Sequence, residues 1–370
     1  MRDIPLRVVL REWGRIGCLG FGGPPAHIAL LRQLVVDRRR WLGHDELEDA
    51  IAACNLLPGP ASTQLAIYTA WRVRGRPGAL VGGLAFILPG LVAILALSAV
   101  FLASSPPEWV RGAGAGAGAA VAAVAVQAAW ALIPASWTRA PSGLRWIAYA
   151  AAGAAAAAAA APWVVLVLLA AGALELTRRR AALHAWPVLF AASAPSAGLA
   201  WVALKVGALS YGGGFVIIPL MQGDAVDRHH WMTAEQFLNA VALGQVTPGP
   251  VVHTVAAVGY AAAGVPGALL AAAIAFAPSF AFVLAGAGRF GRLRAHADVR
   301  AFLDGAGPAA IGAILGSAFA LARALEEPWQ AAILAAAAVA LLAARRGVVE
   351  TLVAAGIAGA LLALAGAPAP

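Results

Sequence analysis

Long, nearly uncharged apolar stretches set the pattern of this chain, at roughly 79–103, 112–133, 146–174, 266–288, 305–322, 331–344 and 351–370. The first four each exceed the ~20 residues a helix needs to cross the hydrocarbon of a bilayer. Barrel strands would instead be alternating segments of ~10 residues. Between these stretches lie apolar runs interrupted by Gly and Pro, and the same order appears twice. A glycine-interrupted segment (about 8–31 and 199–221) leads through a charged, Trp-bearing connection into a segment broken by Pro-Gly-Pro (about 48–71 and 236–262). Pro77-Gly78 and Pro266-Gly267 then open a third segment containing Pro89 and Pro278, and two or three Ala/Leu/Val segments close each half. Pro162 falls inside 146–174 and would divide it, so roughly 10–13 spanning or partly spanning segments are expected. The predicted class is all-α: a polytopic integral membrane protein of two homologous halves, 1–180 and 181–370, with Gly/Pro-broken or re-entrant helices.

The repeat is visible residue by residue. Gly17-Cys18-Leu19-Gly20-Phe21-Gly22-Gly23-Pro24, Asp37-Arg38, Trp41 and Leu57-Pro58-Gly59-Pro60 recur as Gly207-Ala208-Leu209-Ser210-Tyr211-Gly212-Gly213-Gly214, Asp227-Arg228, Trp231 and Thr247-Pro248-Gly249-Pro250. The offset is constant at 190, then 189 at the later prolines, so one residue is missing in between. Gly/Pro-broken apolar segments at matching places in two halves are the usual pointer to a transporter's binding site.

Composition agrees. The chain has 370 residues, 62% of them hydrophobic and 12% charged, with mean hydropathy +0.81, far from globular averages. The formal charge is +9, and Lys205 is the only lysine among 26 basic residues. The arginines sit in short connections, which reads as the positive-inside pattern rather than a nucleic-acid surface. Arg72, Arg74 and Arg76 follow the second segment of half one, where half two has none around Gly264. After the third segment Arg111 stands alone, whereas Arg289, Arg292, Arg294 and Arg300 crowd the equivalent loop of half two. This alternation predicts halves inserted upside down relative to each other. Basic clusters on both flanks of the first Pro-Gly-Pro segment (Arg38 to Arg40, Arg72 to Arg76) favour a re-entrant hairpin there, allowed only where protein or a wet cavity supports the freed backbone. The start lacks a signal peptide's compact apolar stretch and cleavage site, so the first segment is expected to be retained. Cys18 and Cys54 read as small buried hydrophobes.

Pro-Gly-Pro inside an apolar run ends one helix and starts another. The new helix presents free N–H groups and a partial positive charge, which favours an anion. The predicted anion shell is therefore Gly22, Gly23, Asn55, Pro58, Gly59, Pro60 and Thr63 in half one, and Gly212, Gly213, Gln245, Thr247, Pro248, Gly249 and Pro250 in half two. For each side chain the plain alternative is a packing or capping group. Arg32, Lys205 and Arg228 are candidates for drawing an anion in, with snorkelling to the interface as their alternative. His27 and His253, neither repeated in the other half, are candidates for proton coupling. Asp37-Arg38 and Asp227-Arg228, before Trp41 and Trp231, read as surface anchors with a charge pair. No metal cluster, catalytic motif or nucleotide-binding motif is found, so neither an enzyme nor a self-contained ATP-driven pump is expected, and no cofactor. An anion channel is the competing reading within transport.

Phe21-Gly22-Gly23-Pro24 with Ala26-His27-Ile28, Asn55-Leu56-Leu57-Pro58-Gly59-Pro60, Tyr211-Gly212-Gly213-Gly214 and Gly244-Gln245-Val246-Thr247-Pro248-Gly249-Pro250 together resemble the signatures of the chromate ion transporter family in its long, two-domain form. The resemblance spans nearly the whole chain. It implies export of chromate from the cytoplasm across a bacterial inner membrane, driven by the proton motive force, with sulfate as alternative or competing substrate. Membrane lipids and protons are the other implied partners, nucleic acid is not, and a homodimer is compatible with the reading.

Overall fold

The structure is a computed structural model that describes residues 4–57, 59–103, 105–140, 142–159, 163–179, 195–210, 217–286 and 297–368. All regular structure in these residues is helical. Half one comprises α1 (Leu6–Leu19), α2 (Pro24–Arg32) running into a wider π-turn (Gln33–Arg38), α3 (His44–Leu56), α4 (Ala61–Phe101), α5 (Glu108–Trp137), α6 (Gly143–Ala159) and α7 (Trp163–Arg179). Half two comprises α8 (Pro195–Leu209), α9 (Ile217–Gln222) with its π-turn (Gly223–Arg228), α10 (Ala234–Val246) and a 3₁₀ turn (Val251–His253). It continues with α11 (Thr254–Gly286), α12 (Ala297–Arg323), α13 (Pro328–Ala338) and α14 (Val348–Leu364). Among the described residues, four helices are long and apolar enough to cross a membrane: Ala61–Phe101, Glu108–Trp137, Val251–Gly286 and Ala297–Arg323. The apolar stretch 146–174 is two helices, α6 and α7, of 17 residues each.

The repeat extends to backbone angles. Arg40 and His230 both stand at φ 51°. Leu57 and Thr247 end α3 and α10 with φ −80° and −81°, ψ 145° and 147°. Both long helices turn sharply at a glycine, Gly75 (φ 66°, ψ −154°) in α4 and Gly264 (φ 62°, ψ −154°) in α11. Those angles are closed to side chains with a Cβ. Pro77 and Pro266 follow two residues later, at the start of the next helical stretch, where their missing N–H costs nothing.

Packing interleaves the halves. Within each half the first helix lies along the long kinked one: α1 on α4, α8 on α11. A Cβ on Gly17 would lie 2.6 Å from Phe86 O, and one on Gly207 would overlap Ala275 O, so only glycine allows either approach. At the centre α4 meets α11, with Gly83 against the Phe280 ring. The closing helices then cross over. Half one's α6 and α7 pack on α12, while half two's α13 and α14 pack on α5. Gly112 faces Gly359 and Ala363, and Gly116 faces Ala355 and Gly359, so α5 and α14 run in opposite directions. Lipid tails are as apolar as leucine, so helices here associate by close van der Waals fit, and the Gly-Ala repeat of α5 supplies the flat face for it. A polar clamp ties α6 to α7: Glu175 accepts both bonds from Arg145 Nη1 at 2.9 Å and one from the Tyr149 hydroxyl at 2.8 Å.

Gly116→Leu should lower stability by about 1–3 kcal/mol or more, because its side chain would enter α14. Gly347→Ala, which meets nothing within 4 Å, should leave stability close to wild type. Thermal unfolding of the detergent-solubilised protein, followed by size-exclusion fluorescence, checks both.

Candidate functional site

Both Pro-Gly-Pro segments break the helix. Gly59 and Gly249 take left-handed angles, φ 115° and 94°, and Pro60 and Pro250 cap the helical turns that follow. Each break is seated against the other half. Gly59 lies beside Gly207 O and Ser279 Oγ, at 3.2 and 3.4 Å from the position its Cβ would take. Pro248 O and the His253 ring press on Gly90 of α4, and Gly249 N–H donates to Gly20 O at 2.8 Å. Gly90 and Ser279 are themselves counterparts at the 189-residue offset.

The breaks differ in one respect. Half two has one residue fewer between Pro250 and Gly264 than half one has between Pro60 and Gly75. Its helix compensates by starting as 3₁₀ over Val251–His253. A 3₁₀ turn rises about 2.0 Å per residue against 1.5 Å in an α-helix, so three residues recover about 1.5 Å, the rise of the one missing. The tightened start uses its own groups: His253 N–H donates to Pro250 O at 2.9 Å, and the Thr254 hydroxyl donates to Val251 O at 2.8 Å. In half one, Thr63 and Gln64 N–H both reach Pro60 O at 3.0 Å; among the described residues no acceptor takes the N–H of Gly59, nor that of Ala61 or of its counterpart Val251.

His27 joins the two breaks. It is fully buried, with Nε2 2.9 Å from Gly20 O and Nδ1 3.1 Å from Ser62 Oγ. A carbonyl can only accept, so the neutral ring carries its hydrogen on Nε2 and Ser62 donates to Nδ1. Phe86 meets the ring edge-on at 5.0 Å. His253 is also fully buried, edge-on to Phe276 at 5.3 Å, and neither ring nitrogen makes a well-formed hydrogen bond, with the Ile87 backbone the group it comes nearest to engaging. Thr63 Oγ1, Ser210 Oγ, Gln245 Nε2 and Ser279 Oγ are likewise buried without partners.

The remaining candidates separate clearly. Asn55 is exposed and lines a cavity described below. Gly22 and Gly23 adopt φ 93° and 74° and shape the α1–α2 turn, with open space where a Cβ of Gly23 would go. The Thr247 hydroxyl is engaged with Leu243 O at 2.9 Å, a helix-terminal bond that leaves it no proton to donate elsewhere. Pro58, Gly212 and Gly213 lie outside the described residues. Arg32 is paired with Glu48, and Lys205 with Asp224, the latter pair largely buried. Both cations are thus neutralised by the protein, while Arg228 is exposed with no ion-pair partner among the described residues. The expected Asp37-Arg38 pair does not form: Arg38 and Arg39 both hold Glu12 of α1. Arg39 also covers Trp41 at 5.7 Å, and its counterpart His229 stacks on Trp231 at 4.4 Å. Burial, then the neighbouring Arg228, holds the His229 imidazole below its ordinary pKa. Sequence reading missed Ser279, Asp224 and Glu12. The only available signal for Ser279 was its place opposite Gly90 in the repeat.

A cavity of about 680 Å³ reaches the first break. Ile51, Asn55, Leu57, Gly59 and Ala61 line one wall, and Leu303, Gly307 and Ile311 of α12 the other, with Arg139 and Arg300 also on it. On the opposite side the corresponding helices are shut. Asn239 of α10 is wedged against Gly114 and Gly118 of α5, 2.8 and 3.3 Å from the positions their Cβ atoms would take. Gly118 and Gly307 are counterparts in the repeat. Equivalent surfaces therefore enclose a cavity in one half and touch in the other.

Comparison with known proteins bears on this geometry. A family model described as "Chromate transporter" matches twice, over residues 8–176 and 197–365. The chain is 33% identical over 370 residues to the "Chromate transport protein" of Cupriavidus metallidurans, covering 95% of this chain and 92% of that one. It is 31% identical over 341 residues to the "Probable chromate transport protein" of Synechococcus elongatus (86% and 85% covered) and 33% over 344 residues to the "Chromate transport protein" of Pseudomonas aeruginosa (85% and 80%). No solved structure matches. With the family model matched across both halves and relatives aligned over nearly its full length, the chain belongs to the chromate transporter family, as a long-form member with two internal domains.

Proposed function

We propose that the protein is a secondary transporter that exports chromate from the cytoplasm across a bacterial cytoplasmic membrane, coupled to protons, with the oxyanion held by backbone amides at its helix breaks. The observation that carries this reading is a cavity ending at a break whose Gly59 and Ala61 amides have no acceptor among the described residues. Oriented amides at a helix start are a natural seat for an oxyanion. The names of three relatives point to chromate. Sulfate is the alternative, since a tetrahedral dianion of similar size meets the same donors.

Inverted halves are supported by arginine placement. The stretches α3 and Ala61 to Val73 are each about 20 Å long, short of the ~30 Å hydrocarbon, and the Arg72–Glu46 pair ties their outer ends. That is the geometry of a re-entrant hairpin. Arg139 and Arg300 lie on the cavity, so the positive-inside rule assigns its mouth to the cytoplasm. His27, which touches both breaks through Gly20 and Ser62, and His253, buried beside Gly249, are the groups through which protonation would reach the site.

Everted vesicles containing the protein should accumulate radiolabelled chromate when a proton gradient is imposed, with sulfate competing weakly. Preferential sulfate movement would replace chromate as substrate, and flux indifferent to the gradient would remove proton coupling. Gly90→Val should reduce transport to below about a tenth of wild type at equal protein level, because its side chain would displace the second break. Undiminished flux in that variant would contradict the close seating of Pro248 on Gly90.

A further inference from the structure

We infer that the chain holds one oxyanion, not two, and that its seat is the first break alone, completed from the other half by the Ser279 hydroxyl. This deepens the transporter reading and rests on it. The repeat offers two candidate seats, but the second is filled by the protein itself. Gly249 N–H is spent on Gly20 O, the following turn is closed as 3₁₀, the Thr247 hydroxyl is spent on Leu243 O, and Pro248 O lies against Gly90. The 680 Å³ cavity does not include any residue of that break.

The second break also keeps buried groups without partners, on Gln245 and His253, but the cavity does not reach them; the first break differs in that cavity and in its Gly59 amide. The counterpart of the Gly249–Gly20 bond would run from Gly59 N–H to Ser210 O, and it is not made. The cavity reaches Gly59 and Ala61. Two fully buried hydroxyls next to the break lack partners: Thr63 in the first turn of α4, and Ser279 of α11, whose Oγ lies 3.4 Å from the position a Gly59 Cβ would take, with Gln64 Nε2 at 2.7 Å from the same point. Both lie behind the Gly59 and Ala61 wall of the cavity and do not line it. Ser279 stands where half one has Gly90. The same repeat position is thus a glycine where a break packs tightly and a hydroxyl where a break is left open. Buried unpartnered hydroxyls are costly in a folded protein and call for an explanation. An anion accepting from Gly59, Ala61, Thr63 and Ser279 supplies one. No carboxylate lines the break itself; of the two acids on the cavity, Glu48 is held by Arg32 and Asp304 belongs to the facing wall of α12, beside Arg300.

The test is equilibrium binding of radiolabelled sulfate and chromate to the purified full-length protein, with thermal unfolding measured alongside. The seat predicts one anion per chain. Ser279→Ala should weaken binding about tenfold, the loss of one hydrogen bond to a charged group, and abolish most of the anion-induced rise in Tm. Its Tm without anion should be unchanged or higher, because a hydroxyl with no protein partner has been removed; a merely structural serine would lower it. Thr63→Val, nearly isosteric, carries the same expectations and serves if the alanine variant does not accumulate. Two anions per chain, or wild-type affinity in both variants, overturns the single seat. Wild-type protein that binds neither oxyanion would instead sink the transporter reading beneath it.

Discussion

Hydrocarbon offers no partner to a backbone N–H or C=O, and this constraint governs the architecture. A helix may be interrupted inside a membrane only where protein or water satisfies the freed groups. Two Pro-Gly-Pro interruptions occur among the described residues, and each leans on the other half as well as on its own. The first leans on Gly207 and Ser279, the second on Gly20 and Gly90. The interleaving of the halves follows from that need. Each half holds the other's weak point, and the glycines at 17, 90 and 207 exist so that backbone can meet backbone. Exchange of the closing helices, α6 and α7 onto α12 and α13 and α14 onto α5, binds the two further.

A fully symmetric version of this arrangement would satisfy both breaks or neither. One missing residue prevents it. The shortened segment in half two winds into 3₁₀ and its Gly249 amide is taken by Gly20, while half one leaves the Gly59 amide and the Thr63 and Ser279 hydroxyls without partners next to a cavity. The wedge of Asn239 into α5, set against the cavity between α3 and α12, repeats the asymmetry on a larger scale. Two equivalent surfaces in different states are what a transporter with internal repeats needs in order to present one site to alternate sides.

Much of this was legible in the sequence. Gly and Pro have backbone preferences independent of tertiary context, so the breaks at Gly59 and Gly249 and the glycine-rich α1–α2 turn could be placed from residue type alone. The repeat offset identified the matching residues and the missing one. Partners were not legible. Glu12 with Arg38 and Arg39, Lys205 with Asp224, and Ser279 with Gly59 are contacts between segments 19 to 220 residues apart, and no local pattern encodes them. For the same reason Arg32 and Lys205 resembled free cations until their carboxylates were seen. Thr247 read as a donor because its helix-terminal bond to Leu243 depends on the exact point where α10 stops.

The most direct test is to locate the anion itself, by the anomalous signal of chromium in crystals, or the equivalent difference density in particles, of the chromate-loaded protein. The account predicts a single peak per chain between Gly59, Thr63 and Ser279. A peak at Gly249, or one confined to Arg139 and Arg300 at the cavity mouth with the first break empty, would contradict it.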